Sequence, residues 1–139
     1  MSDQELVDRA RQLLDRGFVT YTNEAKQQML GVLPMTIATY GAVSRECAEE
    51  MAKGALAHSP VNLAVSITGV AGPTGAVPGK PIGLVHFAVA SRSGRMVHHD
   101  RNFGDIGRSN VRRASVVQAL AMLMELAEKE EPRPPAEGE

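Results

Sequence analysis

A short apolar run that breaks into a loop rich in glycine and proline constrains this chain more than any other stretch. The run is Leu63–Thr68, in which Leu63, Val65 and Ile67 alternate with small or polar residues, the pattern of a buried β-strand. The loop continues to Pro81 and contains four glycines and three prolines. Loops at the carboxyl ends of strands are common ligand crevices in open α/β folds. The sequence therefore predicts a ligand site here, with a surface connection that binds nothing as the alternative.

Helical and strand patterns alternate along the rest of the chain. The predicted elements are a helix over Ser2–Asp15, a strand at Phe18–Thr22, a short helix that Asn23 caps and Gly31 ends, a helix from Ser44 to near Pro60, strands at Ile82–Ala90 and Met96–Phe103, and a long helix containing Val116 and Ala127. The last two strands are expected to pair antiparallel. Strands that alternate with helices predict an α/β domain with a mixed sheet.

Length and composition limit the classes of protein. With 139 residues, the chain is predicted to form one domain over residues 1–129, followed by a disordered acidic and proline-rich tail, residues 130–139. A formal charge of −1 indicates neither a nucleic-acid partner nor a membrane partner. The single cysteine, Cys47, excludes an intrachain disulfide and favours a cytoplasmic location. We also expect no membrane span and no signal peptide.

Three polar side chains lie close to predicted strand ends. Lys26 follows the strand Phe18–Thr22, and a lysine in that position could act as a base if burial lowered its pKa. A solvated helix lysine is the alternative. Tyr21 could belong to the core or to a site. Thr68 closes the central strand beside the glycine loop, where its hydroxyl could bind a substrate or satisfy local backbone groups.

Arginines gather near the start of the long helix. Arg108, Arg112 and Arg113 lie where free backbone N–H groups favour an anion, such as a phosphate or a carboxylate. A solvated arginine face partnered by Asp105 is the alternative. The histidines show no metal-binding spacing, since the adjacent pair at 98 and 99 faces opposite sides of a strand. The sequence predicts no metal and no cofactor.

Five motifs, in order and at consistent spacing, carry a resemblance to a known family. They are RGFVTYTNEAK (Arg16–Lys26), GAVS (Gly41–Ser44), SITGVAGP (Ser66–Pro73), KPIG (Lys80–Gly83) and GD followed by VRR (Gly104, Asp105 and Val111–Arg113). With these residues the chain resembles the nicotinamide mononucleotide (NMN) deamidase family, which is the C-terminal domain of the competence/damage-inducible protein CinA and also occurs as a free-standing protein.

The resemblance implies a three-layer α/β/α sandwich and an activity. Members of the family hydrolyse the carboxamide of NMN with a serine nucleophile activated by a lysine, without a metal, usually as cytoplasmic oligomers. Carried over by motif, Lys26 is the general base, and Tyr21 and Thr68 are polar groups at the site. The implied substrate-binding residues are Asn23, Ser66, Gly69, Gly72 and either Arg108 or Arg112. A pyridine mononucleotide and a second copy of the chain are the implied partners.

One departure from the family changes the functional expectation. In the family, a strand, a Ser-Cys-Thr-Gly-Gly turn, a helix and a Gly-Ser-Ser segment precede the strand that matches Phe18–Thr22. Here Arg16-Gly17 joins the first helix directly to that strand, so one strand, one helix and the nucleophilic serine have no counterpart. Loss of one member of such a catalytic unit typically costs several powers of ten in rate.

Four interpretations follow from this departure. The chain is a weak or inactive family member that keeps a nucleotide pocket and pairs with itself or with a complete paralogue. Alternatively, it is an active enzyme that uses another hydroxyl, with Thr22, Ser44 and Ser66 as the nearest candidates by motif. It could also be a non-catalytic interaction subunit without a small ligand, or the product of a damaged gene.

Overall fold

The computed structural model describes residues 1–130. Within them, the elements in chain order are α1 (Asp3–Leu13), α2 (Asn23–Leu30), α3 (Pro34–Tyr40), α4 (Arg45–Ala57), β1 (Leu63–Gly69), β2 (Leu84–Ser91), β3 (Met96–Asn102) and α5 (Arg108–Glu130). In this part of the chain, no helix combines the length and the apolar character that a membrane crossing requires.

The three strands form one sheet in the order β1-β2-β3. Both pairs are antiparallel, with Val65 opposite Val89 and Val89 opposite Val97. The hairpin that the sequence predicted between the last two strands is therefore confirmed. Because β2 is the central strand, its side chains are buried on both faces from Phe87 to Ala90.

Helices cover both faces of this sheet. On one face, α5 packs against the large side chains of β2, including Phe87, which is fully buried and meets Phe103 edge to face at 6.4 Å. On the other face, α4 packs against β1 and β2 through small side chains, mainly alanines, which let helix and sheet approach closely. The predicted three-layer α/β/α sandwich is confirmed.

The remaining helices attach to this sandwich from outside. α2 contacts α4 through a separate apolar cluster that contains Leu30, Val32, Cys47 and Met51, with Phe18 packed at its margin. α1 contacts α5, but none of its residues is buried. The N-terminal helix is therefore present, and its apolar side chains stay at the surface.

The predicted strand at Phe18–Thr22 is wrong. The segment is irregular and largely exposed, with Tyr21 at 81% and Val19 at 66% relative exposure. A strand needs a neighbour to accept its backbone hydrogen bonds, and the segment that would lead into that neighbour has no counterpart here. The sequence predicted a mixed sheet. For the same reason, the sheet among the described residues has only antiparallel pairs.

Helix boundaries follow the capping residues with small differences. Ser44 caps α4 as predicted, accepting from the Cys47 N–H at 3.1 Å. α2 ends at Gly31, in the left-handed region, as predicted, but Thr22 caps it instead of Asn23. α5 continues through Glu130, one residue beyond the predicted domain boundary. The rest of the predicted tail, residues 131–139, lies outside the described residues.

Candidate functional site

The N-terminal end of α4 is the point where the family motifs meet. The segment Gly41–Ser44 joins α3 to α4, and two of its carbonyl groups accept hydrogen bonds from distant side chains. The Thr68 hydroxyl, at the end of β1, donates to the Ala42 carbonyl at 2.8 Å. The Lys80 ammonium, at the end of the glycine loop, donates to the Val43 carbonyl at 2.6 Å. These contacts fix the strand end and the loop beside the helix terminus, and we call this region the α4 site.

Lys26 belongs to the same end of α4. Its side chain is buried, with 8% relative exposure, and its Nζ donates to the Thr20 carbonyl at 2.8 Å. Burial lowers the pKa of this ammonium, and the nearby Cys47 acts in the opposite direction. Of the two sequence interpretations, the solvated helix lysine is therefore wrong. Lowering the pKa by burial is what a lysine needs in order to serve as a base near neutral pH.

Cys47 places Lys26 relative to the helix. It lies in the first turn of α4, is fully buried and packs against Leu30 and Val32 in the cluster under α2. The pKa of its thiol is raised to about 11, mainly by burial. Lys26 acts against this rise, and Glu50 adds to it. Because α2 packs against α4 in the cluster that contains Cys47, Lys26 lies near the start of α4. The cysteine itself is a buried, unreactive thiol in the native chain.

The glycine loop meets the start of α5. Gly72 has φ +83°, and the Arg108 guanidinium donates to its carbonyl at 3.2 Å. A Cβ at Gly72 would lie 2.8 Å from the Ile82 side chain, so the loop closes tightly at this point. Arg112 is exposed and makes no hydrogen bond or ion pair with residues 1–130. Of the two candidate arginines, Arg108 is the one that contacts the loop.

The remaining predicted site residues divide between core and surface. Gly69 packs against β2, where a Cβ would lie 2.7 Å from the Val85 side chain. Ser66 is buried under α4. Tyr21 and Asn23 are exposed, and Tyr21 reaches 81% relative exposure. Thr68 therefore contacts the α4 site directly, Arg108 contacts the glycine loop at Gly72, and Lys26 is buried where α2 packs against α4. Tyr21 and Asn23 are exposed to solvent.

The three alternative nucleophiles are all engaged with the backbone. The Ser66 hydroxyl donates to the Ala48 carbonyl, and the Ser44 hydroxyl donates to the Gly41 carbonyl at 2.8 Å while capping α4. The Thr22 Oγ1 accepts from the Ala25 N–H at 3.0 Å as the cap of α2. The Lys26 amine donates to a backbone carbonyl and makes no hydrogen bond with any of these hydroxyls. No serine or threonine hydroxyl among residues 1–130 is hydrogen-bonded to it.

A histidine pair beside the α4 site was missed from the sequence. His86 Nδ1 lies 2.9 Å from His98 Nε2, and the two rings stack at 5.1 Å between centroids. Both side chains project from the face that α4 covers, because His98 lies opposite Ala88 in the β2–β3 register. Burial, and then the neighbouring His98, lowers the pKa of His86. No group of three or more metal-ligating side chains occurs within residues 1–130.

Comparisons with known proteins agree with the five sequence motifs. A family model described as the CinA C-terminal domain matches residues 7–127. The nicotinamide-nucleotide amidohydrolase PncC of Escherichia coli K12 is 48% identical over 110 residues, which cover 78% of this chain and 66% of that protein. A putative competence-damage inducible protein of Caldicellulosiruptor saccharolyticus is 46% identical over 114 residues, which cover 82% of this chain and 27% of that protein.

Solved structures show the same fold. The competence/damage inducible protein CihA from Agrobacterium tumefaciens superposes with a TM-score of 0.80 at 48% identity, covering 89% of this chain and 79% of that chain. ComA from Klebsiella pneumoniae superposes with a TM-score of 0.80 at 32% identity, covering 93% of this chain and 83% of that chain. The chain thus spans about two thirds of the E. coli relative and about a quarter of the C. saccharolyticus relative. The matched residues, the shared fold and the five motifs together place this chain in the CinA C-terminal domain family, whose relatives include hydrolases.

Proposed function

We propose that this chain binds a pyridine mononucleotide such as NMN at the α4 site but hydrolyses its carboxamide weakly or not at all. The proposal of a ligand starts from the PncC relatives, which are named nicotinamide-nucleotide amidohydrolases. It is supported by the glycine loop that Lys80 and Arg108 hold in place. Arg108 has donors left over for an anionic group, because a guanidinium carries five N–H groups and one contacts Gly72.

One observation carries the proposal of weak activity. The buried Lys26 amine has no hydroxyl to activate among the described residues, since its hydrogen bond goes to the Thr20 carbonyl. Ser44 and Ser66 each donate their hydroxyl proton to a backbone carbonyl, so using either as a nucleophile would break a buried hydrogen bond. A general base without its nucleophile contributes little to amide hydrolysis.

A second role is favoured by the free edge of β1. Within residues 1–130 only β2 pairs with β1, and the seven residues of β1 include no proline and no charged side chain. Proteins usually protect an exposed edge with such residues. A non-catalytic subunit that pairs through this edge, with a second copy or with a complete paralogue, is therefore the alternative role.

The test combines calorimetry with a measurement of ammonia release. We expect NMN to bind and to release little or no ammonia. Arg108→Gln should weaken binding by about tenfold or more, because it removes a charged hydrogen-bond donor. Arg112→Gln is the matched control and should bind NMN as the parent does. The molar mass of each sample is measured by light scattering at the same concentrations.

Each other outcome selects a different role. Ammonia release that disappears in Lys26→Ala, but not in the exposed control Lys53→Ala, would contradict weak activity and favour an alternative nucleophile. Absence of both binding and turnover at millimolar NMN would contradict the proposed nucleotide site. A dimer under those conditions would favour pairing with a second copy, and a monomer would contradict that pairing and leave a complete paralogue as the partner of this edge.

A further inference from the structure

A groove lies on the opposite side of the sheet from the α4 site. It has a volume of about 380 Å³ and runs between α1, the end of β3 and the outer side of α5. Arg101 of β3 lines it and faces α5, whereas Thr68 of the α4 site and the buried Ser66 lie on the face that α4 covers. We call it the α1–α5 groove. Its volume falls within the range of small-molecule sites, roughly 300–1,000 Å³.

Two guanidinium groups give this groove its charge. Arg101 donates to the Gln118 side chain at 2.7 Å, and its guanidinium lies 5.3 Å from the centre of the Phe103 ring. These two contacts fix its orientation before any ligand arrives. Arg113 also lines the groove and makes no ion pair or hydrogen bond within residues 1–130. Asp3 is the one carboxylate of the lining, so the groove keeps a net positive charge.

The wall between the arginines is apolar. It is formed by the small side chains of Ala114, Val117 and Ala121 on α5, together with Phe103. The lining also includes Asn110 and Gln118, which are already hydrogen-bonded to the Ile106 carbonyl and to Arg101. The guanidinium fork matches a carboxylate or a phosphate in two parallel hydrogen bonds, while the wall favours a flat or aliphatic body. Charge and wall together select a ligand that has an anionic head and an apolar body.

We propose that the α1–α5 groove binds a small organic anion, with its oxygens on Arg101 and Arg113 and its apolar body against α5. The site is separate from the proposed nucleotide pocket and does not depend on it. The anionic head is a carboxylate or a phosphate, and the choice between them is part of the test.

The test titrates three probes by NMR or calorimetry. Benzoate and phenyl phosphate carry the two anionic heads on the same ring, and benzamide is their neutral counterpart. We expect one or both anions to bind at millimolar concentration, with resonance shifts confined to residues of the groove, and benzamide not to bind. The tighter of the two anions identifies the head group.

Variants locate the binding. Arg113→Gln and Arg101→Gln should each weaken binding of the anion by about tenfold. Arg11→Gln makes the same charge change on an exposed residue of α1 that does not line the groove, and it should leave binding unchanged. Equal weakening by Arg11→Gln, equal binding of benzamide, or no binding of any probe would each overturn the proposal. Circular dichroism of the variants confirms that they remain folded.

Discussion

The chain before α2 and the chain after it contain similar apolar residues, yet only the later part buries them. In the first 22 residues, Leu13, Leu14, Val19 and Tyr21 are all more than 65% exposed. In the later part, β2 has a strand on each side and a helix on each face, and Phe87 is fully buried. The difference teaches that an apolar, β-branched sequence becomes a strand only where neighbours supply backbone partners and a covering layer.

The largest expected effect comes from two glycines, one in each part. A Cβ at Gly54 would lie 1.8 Å from the Leu30 carbonyl oxygen, so Gly54→Ala forces α2 away from α4 and should cost about 3 kcal/mol of unfolding free energy. No atom lies within 4 Å of a Cβ at Gly17. Gly17→Ala should therefore be neutral or stabilise by about 0.5 kcal/mol.

Urea denaturation followed by circular dichroism measures both values. Similar losses for the two glycine variants would show that the N-terminal part is packed as tightly as the later part, and the comparison would fail.

An intermediate effect is expected from two helix caps. Ser44 is buried, caps α4 and also donates to the Gly41 carbonyl, so Ser44→Ala should cost about 1–2 kcal/mol. Ser2 accepts from the Glu5 N–H at 3.1 Å on the exposed α1. Ser2→Ala should lower global stability by less than about 0.5 kcal/mol, because α1 can fray without opening the core.

Native-state hydrogen exchange separates the two caps. Ser2→Ala should raise exchange rates only in α1, while Ser44→Ala should raise them in α4 and β1. If Ser2→Ala also raised exchange in the sheet, α1 would have to be part of the cooperative unit.

The smallest expected effect is a pH dependence within the packed part. Burial is the main cause that lowers the pKa of His86 and of His98. For His86, the neighbouring His98 and Lys80 lower the pKa further, while Asp100 and Glu46 oppose the shift. For His98, Arg45 and His99 lower the pKa further, while Asp100 and Glu49 oppose the shift. The unfolded chain, with an ordinary histidine pKa of about 6.5, then binds more protons than the folded chain. Stability is complete above that value and falls as the pH drops toward the lower folded-state pKa.

Thermal unfolding between neutral and mildly acidic pH measures this dependence. His86→Gln should make the melting temperature less sensitive to acid. The control His58→Gln changes an exposed histidine at the end of α4 that is not among these neighbouring groups, and it should retain the parent slope. If the melting temperature of His86→Gln changed with pH as steeply as that of the parent, the histidine pair would not be the cause of the pH dependence.

Much of the fold could be predicted because its signals are local. Alternation marks β1, Ser44 marks the start of α4, and the turn before Met96 marks the hairpin. The segment Phe18–Thr22 carries the same local signal but lacks a partner strand, a fact about the rest of the molecule. Its prediction failed for that reason.

The candidate site was less predictable because its properties arise from packing between distant elements. Lys26 is buried only because α2 lies against α4. The choice between Arg108 and Arg112 depends on where α5 begins relative to the glycine loop. The histidine pair depends on the register that sets Ala88 opposite His98. A residue-by-residue pattern contains none of these relations.

The single cysteine makes the molecule its own reporter. Cys47 is fully buried at the junction of α2 and α4, and it is the only thiol in the chain. A maleimide can reach it only after that junction opens, so the labelling rate counts openings of one defined cluster. Thiol labelling of the native chain thus measures how often α2 and α4 separate locally, without any engineered probe.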